Sequence, residues 1–414
     1  MCRLSMTAAL SADRRNISTI TIQPGATGQM NPSLTILLAC IGIPIVLLAR
    51  LCQIRKLRTL ERLHGCEKLS DESDNFRYDV FAFADFDSSP LRKPMFEPIT
   101  PHGIFTLDGA DWKRSREQLR NRLSNLRKVI DLGLCEQHFQ AFLRHVPPNG
   151  QVFDIQRCTP ALALNMQTRF SLGESVDALD FTQSQEKKQF VDDLDVIKER
   201  IFEEISQFAD QAMSILLAND SMSTTLSGLF YCLSRDERIV KKFRTSIVDA
   251  IGLTPPTWSQ LRMLHYVRWV LQEACKVMRV FPAVVFNARV ANKHSTMPSG
   301  GGADGQSPVL VRKGDIVVFS TWARHRLGKD LGESPEKFYP ERWEHLNSDM
   351  PGFIPFNRGP RICAGRQYAM TVLTYIVARI FQTFSNVSNY NTKEWTERIS
   401  MTFENENGVL VGLS

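Results

Sequence analysis

Chemistry in this chain gathers around Cys363. Residues 353–370 read FIPFNRGPRICAGRQYAM. Apolar spacing from Ala364 to Phe384 predicts a long helix opening directly behind the sulfur. A cysteine at a helix N-terminus meets unpaired backbone N–H groups and the positive end of the dipole, and both favour thiolate. Arg358, Arg361 and Arg366 add positive charge. Phe356 and the Gly359-Pro360 turn shape a tight, dry loop, and Gly365 lets another group approach the backbone. A dry, hydrogen-bonded thiolate suits the axial position of haem iron. A single cysteine is more often a small buried apolar residue, but that reading leaves the Phe, Gly, Arg and Gly at fixed offsets unexplained.

The run FNRGPRICAG resembles the haem-binding loop of the cytochrome P-450 monooxygenases, F-x-x-G-x-R-x-C-x-G. Phe356, Gly359, Arg361, Cys363 and Gly365 meet every fixed position. Upstream, Pro340-Glu341-Arg342-Trp343 stands where the family keeps P-E-R-[FW]. GIFTLDGADWKRSR looks like its W-x-x-x-R helix, here Trp112 and Arg116. The stretch NARVANKHSTMPSGGGADGQSPVLVRKGD looks like the fungal members that hydroxylate alkanes and fatty acids. The resemblance runs from near Met30 to the C-terminus.

It implies a mainly α fold, with a large helical haem-binding domain, small β-sheets and an apparently shortened chain. It implies haem held by Cys363, with Trp112, Arg116, Arg361 and Arg289 on the propionates. The activity implied is insertion of one oxygen atom of O2 into a hydrophobic small molecule, a fatty acid or alkane, with electrons from an NADPH-dependent flavoprotein reductase. Physics agrees at the flanks. Trp112 and Arg116 are four apart and share a helix face, where an indole N–H and a guanidinium hold a carboxylate. An ordinary cation–π pair is the alternative for those two alone. Lys113, Arg114, Arg120, Arg122, Arg358 and Arg366 form a basic face for an acidic partner, or simply a solvated charge run.

Two places depart from the family. Its E-x-x-R pairs a Glu and an Arg with the Arg of P-E-R-[FW]. Here YVRWVLQEACKVMRVFP puts the arginine at Arg279 and Lys276 three before it, while Glu273 lies six before. Six residues turn a helix through about 600°, so Glu273 and Arg279 face apart. Glu273 is left to Lys276 or to Arg342. The oxygen-activating pattern [AG]-G-x-[DE]-T-[TS] is reduced to Ala218-Asn219-Asp220-Ser221. Asp220 and Ser221 are the candidate proton-handling pair. Thr224 and Thr225 are rivals without an acid directly before them, and a polar spot on an ordinary helix is the other reading. The span between Glu174 and Ala218 is short for helices that roof a pocket. A catalytically impaired paralogue or a truncated gene model, binding haem weakly or not at all, is therefore the alternative function.

Positioning these residues needs helices. Periodicity predicts them at Trp112–Leu126, Lys187–Ala218, Leu226–Ala250, Ser259–Val280 and Ala364–Phe384. Val309–Val311 and Ile316–Phe319 read as short strands around a Lys313-Gly314-Asp315 turn, and Pro298–Gly305 reads as a loop by composition. Leu34–Ala49 is uncharged and followed at once by Arg50, Arg55, Lys56, Arg58 and Arg62. That pattern predicts an N-terminal transmembrane helix over 30–54, with a leader over 1–29 and a cytosolic haem domain over 55–414. The expected location is the endoplasmic reticulum membrane, single-pass. No small-residue cleavage site follows the apolar run, which argues against a signal peptide. The nine cysteines include no CxxC pair, which argues against a disulfide framework or a Cys-rich zinc site. A net charge of +6 is too small to argue for nucleic acid.

Overall fold

The computed structural model describes residues 52–61, 63, 65–66, 85–90, 92–180, 182–199, 214, 216, 218–277, 286–327, 331–332, 334, 337–350, 352–399 and 402–414. The chain divides into two compact units, Met1–Leu60 and Glu61–Ser414. In the first, residues 52–60 are helical. The rest of the expected anchor, and the leader, lie outside the described residues. Among those described, no helix is long and apolar enough to cross a membrane.

The second unit is mainly helical. Its helices are α1 (Arg92–Phe96), α2 (Gly109–Leu123), α3 (Leu126–Val129), α4 (Leu132–Leu143), α5 (Ile155–Leu172), α6 (Gln185–Glu199), α7 (Asp220–Leu233), α8 (Glu237–Ile251), α9 (Trp258–Met263), α10 (His265–Val277), α11 (Thr321–Leu327) and α12 (Arg366–Thr383). Strands are short: β1 (Phe86–Ser88), β2 (Phe153–Asp154), β3 (Phe286–Ala291), β4 (Ser295–Gly301), β5 (Ser307–Val311), β6 (Ile316–Ser320), β7 (Val387–Asn389), β8 (Glu397–Ile399), β9 (Phe403–Asn405) and β10 (Leu410–Leu413). They pair as small sheets in the orders β1-β3-β6, β2-β10-β7, β4-β5 and β8-β9.

Local chemistry explains where the elements break. The helix expected over Leu226–Ala250 is two helices, because the Asp236 carboxylate caps α8 by accepting from Ile239 N at 3.1 Å. The helix expected from Ser259 splits at Leu264, and its first part opens on a Thr257–Gln260 capping box. The first half of the predicted loop, residues 298–301, is the end of β4, and residues 302–305 turn as expected. Gly300 and Gly302 take φ of 116° and 76°, and a register shift between Met297 and Gly301 absorbs the irregularity. The strands on either side of Gly314 do not pair with each other: β5 pairs with β4, and β6 with β3.

The main core lies where α7 meets α5 and α10, and where α12 meets α8 and α10. Helix α12 is buried along most of its length, including Tyr368, Val372, Tyr375, Ile376 and Phe381. Its polar members are answered. Arg379 grips Glu136 of α4 through Nε at 2.7 Å and Nη2 at 2.8 Å, and Tyr375 donates to the same carboxylate at 2.8 Å. This two-armed geometry fixes the helix that carries the Cys363 loop.

A second staple holds the Pro340–Glu344 turn. Glu341 Oε1 accepts from Arg238 Nη1 at 3.0 Å, Lys242 Nζ at 2.9 Å and Tyr266 Oη at 2.9 Å. Burial pushes this carboxyl up, but the bonds from Lys242, its own backbone, Tyr266 and Arg238 outweigh burial and hold it at about 2. The folded value lies below the ordinary 4.5. Its stabilisation is therefore full above the unfolded value and is lost as pH falls toward the folded one. Glu341→Gln is expected to cost on the order of 2 kcal/mol near neutral pH and to flatten the stability curve between about pH 5 and pH 2. Urea unfolding midpoints against pH check this; parallel curves for variant and parent would refute it.

Candidate active site

Cys363 sits two residues ahead of α12, whose N-cap is Gly365. The thiol has its N–H partners at the helix start, with Gly365 and Arg366 donating from the backbone. Cys363 N in turn donates to Phe356 O at 2.8 Å, which closes the loop into a tight bend. Asn357 and Gly359 inside it take φ of 65° and 67°. Phe356 packs against the buried Leu331, Trp343 and Phe353. The Cys363 side chain is exposed. Even so, desolvation by the surrounding protein raises its pKa, against the lowering effects of the Gly365 and Arg366 N–H groups and the Arg116 charge. The two facts together describe a sulfur that is accessible yet set among protein atoms. The sequence-based expectation of a lowered pKa is therefore corrected: burial outweighs the helix terminus. A bound cation would reverse that balance, since a metal-coordinated thiol is deprotonated outright.

A cluster of arginines reaches this sulfur through Arg116. Trp112 is buried on α2, and the guanidinium stacked on its ring, 4.3 Å from the centroid, is that of Arg361. The ring partner is thus Arg361 rather than the Arg116 weighed from the sequence. Arg116, one turn along α2, feels the Cys363 charge. Arg289 is buried in β3 and donates through Nη1 to Asn287 Oδ1 and Ala288 O. Among the described residues its Nη2 has no hydrogen-bond partner. Burial lowers Arg289 to about 10, and Arg92 and Arg361 push it the same way. Arg92 falls to about 10 by burial and then by Arg361. The opposing carboxylates in these interactions are Asp108 and Asp87. Guanidiniums therefore outnumber carboxylates in this cluster, a surplus of positive charge. Haem carries two propionates. The surplus, the orphaned Arg289 Nη2 and the desolvated sulfur all fit that group.

Sequence reasoning missed Arg92 and Asp108. Asp108 carried a signal in standing directly before the helix of Trp112; Arg92 carried none. Asp220 and Ser221 occupy the first turn of α7, with Asp220 buried and Ser221 Oγ donating to Ala218 O at 2.8 Å. The rivals Thr224 and Thr225 bond to Thr402 Oγ1 at 3.0 Å and Ser221 O at 2.6 Å.

Glu273 is fully buried and pairs with Arg342, Oε1 to Nε at 3.2 Å. Tyr339 N donates to it at 3.1 Å and Trp343 Nε1 at 2.7 Å. Arg279, expected in the same network, lies outside the described residues, as does the Lys276 side chain.

The cytochrome P-450 family profile matches residues 209–406. Cytochrome P-450 52A5 of Candida maltosa is 32% identical, over 74% of this chain and 72% of its own. Cytochrome P-450 52A13 of Debaryomyces hansenii is 29% identical, over 78% of this chain and 77% of its own. Cytochrome P-450 monooxygenase FPY7 of Fusarium mangiferae is 28% identical, over 78% of this chain and 74% of its own. The 52A13 alignment spans 404 positions yet takes in only 78% of this chain, so that relative carries internal segments this chain lacks. A thiol loop closed by a backbone bond, a surplus of guanidiniums beside it and this degree of likeness agree: the chain belongs to the cytochrome P-450 family of haem-thiolate monooxygenases.

Proposed function

We propose that this chain inserts one oxygen atom of O2 into a hydrophobic substrate, a fatty acid or alkane, using haem ligated by Cys363. The observation that carries the reading is the Cys363 sulfur, held by Gly365 and Arg366 N–H groups beside a surplus of guanidiniums. When bound, haem supplies the activation of dioxygen. The chain's own residues bind and orient it. Trp112, Arg116, Arg289 and Arg361 hold the propionates, and the Phe356 loop, closed by the bond from Cys363 N to Phe356 O, fixes the sulfur's position. The buried Asp220 carboxyl and the Ser221 hydroxyl hold and pass protons.

Electrons come from an NADPH-dependent flavoprotein reductase. The exposed Lys113, Arg114, Arg120 and Arg122 of α2 support a basic docking face. Arg358 and Arg366 border it, both tied to Asp349. The apolar run Leu34–Ala49 supports attachment to the endoplasmic reticulum membrane. The substrate class rests on the resemblance of residues 287–315 to fungal alkane and fatty-acid hydroxylating members.

The internal segments missing relative to 52A13 favour a second reading, an impaired paralogue or truncated gene model that turns nothing over. One experiment separates the two. The chain is expressed with haem, paired with a reductase and NADPH, and given fatty acids of graded length. Hydroxylated product supports the first reading. Haem retained without product, or not retained, supports the second.

A further inference from the structure

Asp108 stands directly before α2, where an aspartate ordinarily turns its carboxylate onto the first N–H groups of the helix. Here it makes no such cap bond. The carboxylate accepts instead from Ser88 N at 2.9 Å and from Arg361 Nη2, which also donates to Leu107 O at 3.3 Å. Ser88 is the register partner of Arg289 across β1 and β3. One side chain thereby ties the β1 edge, the start of α2 and the Cys363 loop into a single cradle.

Resting on the propionate reading above, we propose that Asp108 is a positioning residue for haem: the resident carboxylate that lets the guanidiniums of Arg92, Arg289 and Arg361 stand close together and keeps Arg361 laid over Trp112. Three like charges in a partly desolvated space repel one another, and the interaction strengthens as water is excluded. Burial disfavours all three arginines as cations, Arg361 repels Arg92 and Arg289, Arg116 repels Arg361, and Asp108 opposes these effects on each of the three. Its carboxylate engages one arm of Arg361 and leaves Arg289 Nη2 without a partner among the described residues. Asp108 therefore orders the cradle without consuming the donors that a propionate needs.

Rates of haem transfer from the loaded full-length chain to excess apomyoglobin test this, with iron protoporphyrin dimethyl ester as the propionate-blocked probe. The parent is expected to hold haem longer than the ester. Asp108→Asn is expected to release haem about tenfold faster, the size expected for losing one charge-assisted hydrogen bond, with ester release unchanged. Asp108→Glu should recover much of the difference. Equal acceleration of haem and ester in Asp108→Asn would mark a merely structural residue and overturn the proposal. Unchanged or slower haem release in that variant would overturn it too. If the parent releases haem and ester alike, the propionate reading itself fails, and this assignment falls with it.

Discussion

Cys363→Ser is expected to abolish turnover and to remove the strongly red-shifted Soret band from the ferrous carbon monoxide difference spectrum. The reason is local. Serine keeps the shape of the loop and the acceptor for the Gly365 and Arg366 N–H groups, but it replaces a polarizable sulfur with a hydroxyl that stays protonated near neutral pH. Thiolate electron donation to iron is lost with it. Fold stability should hardly move, within about 0.5 kcal/mol, since Cys363 is exposed and belongs to no core cluster. Cys135→Ser is the control. Its thiol is buried and pushed up to about 12 by desolvation, so it is inert and the band should survive its replacement. A red-shifted band retained in Cys363→Ser would remove Cys363 from the iron.

What could be read from the chain alone followed how local its causes are. The α12 helix and the Phe356–Gly365 loop were legible, because apolar periodicity and glycine offsets are near-neighbour signals. Helix breaks were less so. Asp236 lies inside an otherwise continuous helical pattern, and its capping role emerges only when its side chain turns onto Ile239 N. The glycine run before Asp304 reads as a loop by composition, yet its first half ends the irregular strand β4, where Gly300 takes positive φ, and only the part from Gly302 turns. The arginine cradle was half legible. Trp112, Arg116, Arg289 and Arg361 followed from the resemblance. Arg92 and Asp108 did not, because they meet the site only through tertiary folding, Asp108 across a separation of 253 residues.

Glu273 shows how a departure in sequence is resolved in space, and its replacement is expected to give the largest loss of stability. The carboxylate is fully buried, and Arg342 beside it is 8% exposed at the side chain. Arg342 spends its other donors on Leu331 O, Ser334 O and Lys337 O, at 3.0 to 3.1 Å, and its Nε is shared between Glu273 and Tyr339 O. Glu273 is thus the anion at the centre of a chain segment strapped to one guanidinium, and it answers Trp343 Nε1 and Tyr339 N as well. Glu273→Ala strands a buried cation and both N–H groups, for a cost of about 3–5 kcal/mol. That is a large share of the roughly 5–15 kcal/mol that stabilises a domain. Thermal unfolding should fall by about 10 °C. Glu273→Gln, which keeps an acceptor, should fall less. Glu273→Ala combined with Arg342→Met should be more stable than Glu273→Ala alone, because the orphaned charge is gone. The damage should also reach the sulfur. Trp343 packs on Phe353 at 4.5 Å between ring centroids, Phe356 packs in the same cluster, and the Phe356 carbonyl holds Cys363 N. Haem release should therefore quicken in Glu273→Ala together with the fall in unfolding temperature. A variant that unfolds within about 2 °C of the parent would show that Arg342 finds its counter-charge elsewhere, on the order of 1 kcal/mol or less resting on Glu273.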